Sequence, residues 1–176
     1  MPDVVVKYGL NKACYRLFML MLLLVPSGQA ATLNREYPLK VAYLFHLAEL
    51  TEWPAPANIK ICLLGDSPIR EYLPALAGQA VNGGAVQISI NQGMEGAECN
   101  IIFLANNAGL TPELSARAIN QHILLVSDME GFAALGGMVE IALRDNKLKL
   151  VISLEVVKKA GLKLSSKLLR MAEILE

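Results

Sequence analysis

The chain has little of what catalytic and metal sites are usually built from. Its 176 residues include two histidines, three cysteines and one tryptophan, and aromatic side chains make up 6%. His46 and His122 lie far apart, with no cysteine or aspartate at a ligand spacing, so no metal site is expected. There is no G-x-G-x-x-G and no G-x-x-x-x-G-K, which leaves Gly65-Asp66-Ser67-Pro68 as an ordinary strand-to-helix turn capped by Ser67. No cofactor is therefore expected. Ser67 lacks the G-x-S-x-G elbow of a nucleophile, and S-x-x-K starting at Ser165 would need lysine where Leu168 stands. Glu49 and Glu52, three apart on one helical turn, are the one close pair of carboxylates. So few aromatics scarcely line a sugar cleft around such a pair. These absences point away from an enzyme.

Charge of one sign is lacking too, with 16 basic against 16 acidic residues. Lys147-Leu148-Lys149 and Lys158-Lys159 are interleaved with strand-like or amphipathic residues and read as solvated faces, so nucleic acid is not an expected partner. Nor is there a long apolar run. Residues 17–25 are continuously apolar, but nine residues are too few to span about 30 Å of hydrocarbon as a helix.

That run has a different meaning. It follows Lys7, Lys12 and Arg16 and breaks at Pro26 into the small residues Ser27-Gly28-Gln29-Ala30, the order of a secretory signal peptide. Residues 1–30 are read as that signal, cleaved after Ala30, and residues 31–176 as a single domain with no membrane anchor of its own. Cleavage leaves 13 basic and 15 acidic residues. It also removes Cys14 and leaves Cys62 and Cys99. An even pair in an exported domain suggests a disulfide, two buried thiols being the other reading.

Along the mature chain, helical spacing of Val41, Leu44, Phe45 and Ala48 predicts a helix over 36–53, stopped by Pro54. Apolar runs at 59–64 and 100–104 read as strands buried on both faces, with further strands at 86–90 and 123–126. A helix is expected after Ser67, ending before Gly78, and another from Pro112, capped by Thr111, to about 120. Near the C-terminus, 138–143 and 147–152 alternate around Asp145-Asn146, which is a hairpin pattern. Helices are expected at 154–159 and 165–174. The fold class implied is α/β: a mostly parallel sheet with helices on both faces, Rossmann-like, with an antiparallel hairpin near the C-terminal end.

Several of these segments, taken in order, resemble the YfiR family. Lys40-Val41-Ala42-Tyr43-Leu44-Phe45 through Glu52-Trp53-Pro54 is similar to the opening motif of that family. Ile61-Cys62-Leu63-Leu64-Gly65-Asp66-Ser67-Pro68, Gly131-Phe132, Gly136-Gly137-Met138 and Gly161-Leu162-Lys163-Leu164-Ser165-Ser166-Lys167-Leu168-Leu169 resemble its later motifs. The resemblance implies a small periplasmic protein that binds the periplasmic sensor domain of an inner-membrane diguanylate cyclase. Such binding represses cyclic di-GMP synthesis and hence biofilm formation. It also implies that Cys62 and Cys99 are the commonly paired cysteines. Members with a second pair around the Gly-Phe motif carry cysteines where this chain has Val126 and Ala133, so gating through a second bridge is not expected.

Phe132, on a glycine-rich loop, and Leu150, in the expected hairpin, are the candidate contact residues for the cyclase, with Trp53 beside Pro54 as a third. An exposed apolar edge would also allow a homodimer. The competing expectation is a periplasmic small-molecule sensing module without a cyclase partner. Its ligand would lie in the crevice at the carboxyl ends of the parallel strands.

Overall fold

The computed structural model describes residues 30–54, 58–90, 98–105 and 109–175. The expected signal sequence lies, except for Ala30, outside them. The chain divides into two compact units, Met1–Leu33 and Asn34–Glu176, and the strands among the described residues all lie in the second. Helix α1 (Ala30–Leu50) ends three residues earlier than its apolar spacing suggests, because Thr51–Glu52 turns extended as β1. β1 pairs antiparallel with a second short strand, β9 (Lys163–Leu164), in a two-stranded ladder of its own.

The main sheet is mixed and mostly parallel. β2 (Ile59–Leu64) is the unbroken apolar run, and it lies between β4 (Gly84–Ile90) and β5 (Ile101–Leu104), parallel to both. β6 (Leu124–Ser127) and β7 (Val139–Arg144) continue the parallel run beyond β5. β7 then pairs antiparallel with β8 (Lys147–Ser153) across Asp145-Asn146. Both turn residues hold positive φ, 52° and 56°, as a two-residue turn matched to strand twist requires. With β3 (Ala80–Val81) and β10 (Ala172–Leu175), the strand order is β10-β8-β7-β6-β5-β2-β4-β3.

Between β2 and β3 the chain forms no continuous helix. It makes two 3-10 turns, Pro68–Glu71 and Leu73–Leu76, the first capped by the Ser67 hydroxyl accepting from Ile69 N–H at 3.4 Å. Pro74 brings no N–H to the second turn, so the ladder of an α-helix is not extended through it. α2 (Pro112–Asn120) starts as its cap predicts, with the Thr111 hydroxyl accepting from Leu114 N–H. α3 (Leu154–Lys159) leaves β8 directly.

The C-terminal segment departs from expectation. Helix α4 (Ser166–Leu169) lasts one turn, and Ala172–Leu175 then extends as β10, parallel to β8. Expected as a single helix, this stretch is split because the open edge of β8 offers its backbone a full ladder of hydrogen bonds. A short apolar run adopts whichever partner is at hand.

α1 packs onto the sheet through Leu44 and Leu47, both fully buried, and the Tyr43 hydroxyl donates to the Leu148 carbonyl of β8 at 3.2 Å. Midway along the helix, Lys40 is almost fully buried and reaches Asp128, which follows β6, and Glu36, each at 2.5 Å. Burial alone would push the Lys40 ammonium below its ordinary value. The hydrogen bonds and charges of Asp128 and Glu36 together outweigh that and hold it above.

Candidate functional site

Cys62 and Cys99 form a disulfide with Cα atoms 6.0 Å apart, tying β2 to the segment that enters its neighbour β5. Of the two open readings, the bridge is the one the structure contains.

The expected exposure of Phe132 and Leu150 is corrected: both lie in the core. Phe132 belongs to the tight loop between β6 and β7. Its N–H donates to the Met129 carbonyl at 3.1 Å and its carbonyl accepts from Gly137 N–H at 2.9 Å, which turns the ring inward. A Cβ on Gly137 would overlap that ring, so glycine is what allows the loop to close over it. The large apolar residue left outside is Leu135, 69% exposed. Leu150 pairs with Ile141 on one side and Ala172 on the other, and faces the main core.

Glu140, which the sequence reading passed over, supports the same loop. It is 2% exposed, and its carboxylate accepts from Ala133 N–H at 3.3 Å, its one hydrogen bond among the described residues. The available signal was a charged residue inside the apolar run Met138-Val139-Glu140-Ile141. On the other side of the loop, the Ser127 hydroxyl donates to the Leu104 carbonyl at 2.7 Å and accepts from Met129 N–H at 3.1 Å.

Trp53 is 8% exposed, and its surroundings are unusual. Where α1 ends, the Leu50 carbonyl accepts from Ser165 N–H at 2.9 Å and the Glu49 carbonyl from the Asn82 side-chain amide at 3.1 Å. Asn82 reaches it from the turn before β4, held at φ 49°. These residues, with Thr51, Glu52 and Trp53, line an open cleft of about 470 Å³. Two polar groups of these residues, the Thr51 hydroxyl and the Trp53 indole N–H, are sealed from solvent and have no hydrogen-bond partner. Each such group costs about 1 to 3 kcal/mol relative to a satisfied one. Among the described residues, the formal charges lining the cleft are the carboxylates of Glu49 and Glu52. The Glu49 carboxylate lies 3.4 Å from His46 Nδ1 at the exposed end of the helix.

The crevice expected at the carboxyl ends of the strands cannot be the same place, since Asn82 sits in the turn between β3 and β4, where the parallel strand β4 begins. The loops after β4 and β5, residues 91–97 and 106–108, lie outside the described residues. His122, at φ 56°, places Nδ1 2.7 Å from the Ala160 carbonyl oxygen and so links the end of α2 to the end of α3. Among the described residues, no group of three or more His, Cys, Asp or Glu side chains is placed to hold a metal ion.

No match to a curated protein was found. The family described as YfiR/HmsC-like matches residues 37–173, which runs from the first buried turns of α1 to the middle of β10. The chain belongs to the YfiR/HmsC-like family.

Proposed function

We propose that the protein, once residues 1–30 are removed, is a periplasmic regulator that binds the sensor domain of an inner-membrane diguanylate cyclase. By holding that domain in one state it lowers cyclic di-GMP synthesis and biofilm formation, a population shift that needs no catalysis by the regulator itself. The observation that carries this reading is the family match over residues 37–173. The intradomain disulfide supports an oxidising compartment, since such bridges are rare in the cytosol. No helix among the described residues is long and apolar enough to cross a membrane, in keeping with a mature domain without its own anchor. The run of parallel strands, with β2 between β4 and β5, supports a Rossmann-like architecture with helices on both faces.

For the contact, the loop after β6 supplies Leu135, held out to solvent while Phe132 anchors the loop from inside. Phe132, Leu150 and Trp53 then serve binding by shape: Phe132 sets the loop, Leu150 seats the edge strand β10, and Trp53 closes the end of α1. The free edge of β10 is where a second copy would add in a homodimer. The competing reading, a small-molecule sensing module without a cyclase partner, is favoured by one feature, the open cleft at the end of α1.

The test is a pull-down of the periplasm-expressed protein from solubilised inner membranes, with Leu135→Asp as the paired variant. Capture of a membrane diguanylate cyclase by wild type and its loss in the variant supports the repressor reading. Recovery of no cyclase by either rejects it in favour of the sensing module.

A further inference from the structure

The last strand of the main sheet is built from residues that favour a helix. Helix α4 is capped by the Ser165 hydroxyl accepting from Leu168 N–H, and the N–H groups of Leu169 and Arg170 still donate to the carbonyls four residues back. Arg170 keeps helical φ and ψ, −69° and −20°. The chain leaves the helix only at Met171-Ala172, although no glycine or proline follows Gly161 to stop it. Lys, Leu, Arg, Met, Ala and Glu rank among the best helix formers, and Ala and Glu are depleted in strands. A helix carried on to Leu175 sets Leu168, Met171, Ala172 and Leu175 at i, i+3, i+4 and i+7, one apolar stripe. The strand breaks that stripe, leaving Leu168 fully buried and Met171 more than half exposed. Among the described residues β10 has one neighbour, β8, and its own four residues are half-buried or exposed. It is held by that parallel ladder, by contacts of Ala172 and Ile174 with the main core, and by the half-exposed ion pair of Glu173 with Arg144.

We propose that residues 170–175 are a two-state element, the strand β10 in one state and the continuation of α4 in the other. Local preference and tertiary pairing pull this segment in opposite directions, which is the condition for two packings of similar free energy. The change starts at the Met171-Ala172 junction and winds the segment onto a helix whose cap and first turn already stand. Glu173 exchanges Arg144 for Arg170, three residues before it on the helix. Met171 moves onto the stripe with Leu168, and the edge of the main sheet passes from β10 to β8. Leu175 leaves the small cluster of Ala133, Ala142 and Val151, and Ala133 belongs to the loop that bears Leu135. The two states therefore differ in what backs that loop. The exchange stands apart from the cyclase reading, and only its bearing on Leu135 rests on it.

Saturation-transfer and relaxation-dispersion NMR on the purified, disulfide-intact protein tests this. The expected result is a minor state populated at about 0.1 to 10%, with helical Cα shifts over 172–175. Hydrogen exchange is expected to show the β8 amides that face β10 losing protection together with those of β10. Met171→Gly lowers the helical population by about three- to fivefold and leaves the strand, beside which position 171 is exposed, nearly as it was. Arg144→Gln removes the ion pair from the strand state alone and raises the helical population by about two- to threefold. Thermal melting confirms that both variants are folded. The proposal is overturned if 170–175 show no second state, if the minor-state shifts are those of random coil, or if Met171→Gly leaves the helical population unchanged. None of these results bears on whether a cyclase is captured, so the two proposals fail separately.

Discussion

Replacing Gly137 by alanine tests how the loop between β6 and β7 is built. The added methyl would overlap the Phe132 ring, which is fully buried. The backbone is tied as well, since Gly137 N–H donates to the Phe132 carbonyl at 2.9 Å, and moving away breaks that bond. Overpacking of a filled core costs about 1 to 3 kcal/mol. With partial loss of the hydrogen bond, we expect about 2 to 4 kcal/mol in all. At about 3 to 4 °C per kcal/mol for a domain of this size, Tm falls by about 6 to 16 °C. Phe132→Leu alone costs about 1 to 2 kcal/mol by leaving a cavity. In the double variant the smaller side chain makes room for the methyl, so the combined loss is less than the sum by about 1 kcal/mol or more. Urea denaturation of the four proteins, followed by Trp53 emission and circular dichroism, measures all three differences. Strict additivity, or a Gly137→Ala variant within about 0.5 kcal/mol of wild type, would refute the close packing of ring on glycine.

Replacing both Cys62 and Cys99 by alanine removes a bridge spanning 37 residues, and on the loop-entropy account lowers stability by about 4 kcal/mol, measurable as the same loss on reducing the wild type. Lys40→Met leaves Glu36 and Asp128 facing each other without their cation and costs about 2 to 4 kcal/mol, less than in a sealed site because solvent reaches both carboxylates. Because Lys40 is held above its ordinary value of 10.5, its contribution is complete below its unfolded value and is lost as pH rises through the folded one; melts of wild type and Lys40→Met therefore keep a constant gap from pH 7 to 9 that closes only beyond about pH 10.5. Glu140→Gln keeps an acceptor for Ala133 N–H and removes a buried charge, so its stability stays within about 1 kcal/mol of wild type, whereas Glu140→Ala loses about 1 to 3 kcal/mol in denaturant titrations.

Where a local signal decided the structure, the sequence could be read. The run Ile59–Leu64 between polar residues is β2, Thr111-Pro112 caps α2, and Asp145-Asn146 supplies the two positive-φ residues between β7 and β8. Where the outcome rested on distant partners, the pattern misled. Leu168 and Leu169 read as part of a longer helix because nothing nearby announces that the edge of β8 will take Ala172–Leu175 as a strand. Phe132 read as an exposed aromatic among glycines. Its burial depends on Gly137 having no side chain and on Glu140 holding the loop, neither of which a hydropathy pattern expresses.

The site was legible in part. Trp53 and Glu49 were singled out, but for other roles. Thr51, Asn82 and Ser165 join them only through the turn between β3 and β4 and the β1–β9 ladder, contacts made across 33 residues for Asn82 and Glu49 and more than a hundred for Thr51 and Leu164. Lys40, beside Val41 on the helix, gave no hint that its partner Asp128 lies 88 residues away.

The central claim is regulation of a cyclase from outside the inner membrane, and its most direct test is cellular cyclic di-GMP in a strain lacking the gene. Complementation uses the full chain, the Leu135→Asp variant, or a form beginning at residue 31 that stays in the cytoplasm. The account predicts that loss of the gene raises cyclic di-GMP, that the exported wild type returns it to the starting level, and that neither the cytoplasmic form nor Leu135→Asp does so. An unchanged level in the deletion strain, or full rescue by the cytoplasmic form, would contradict it.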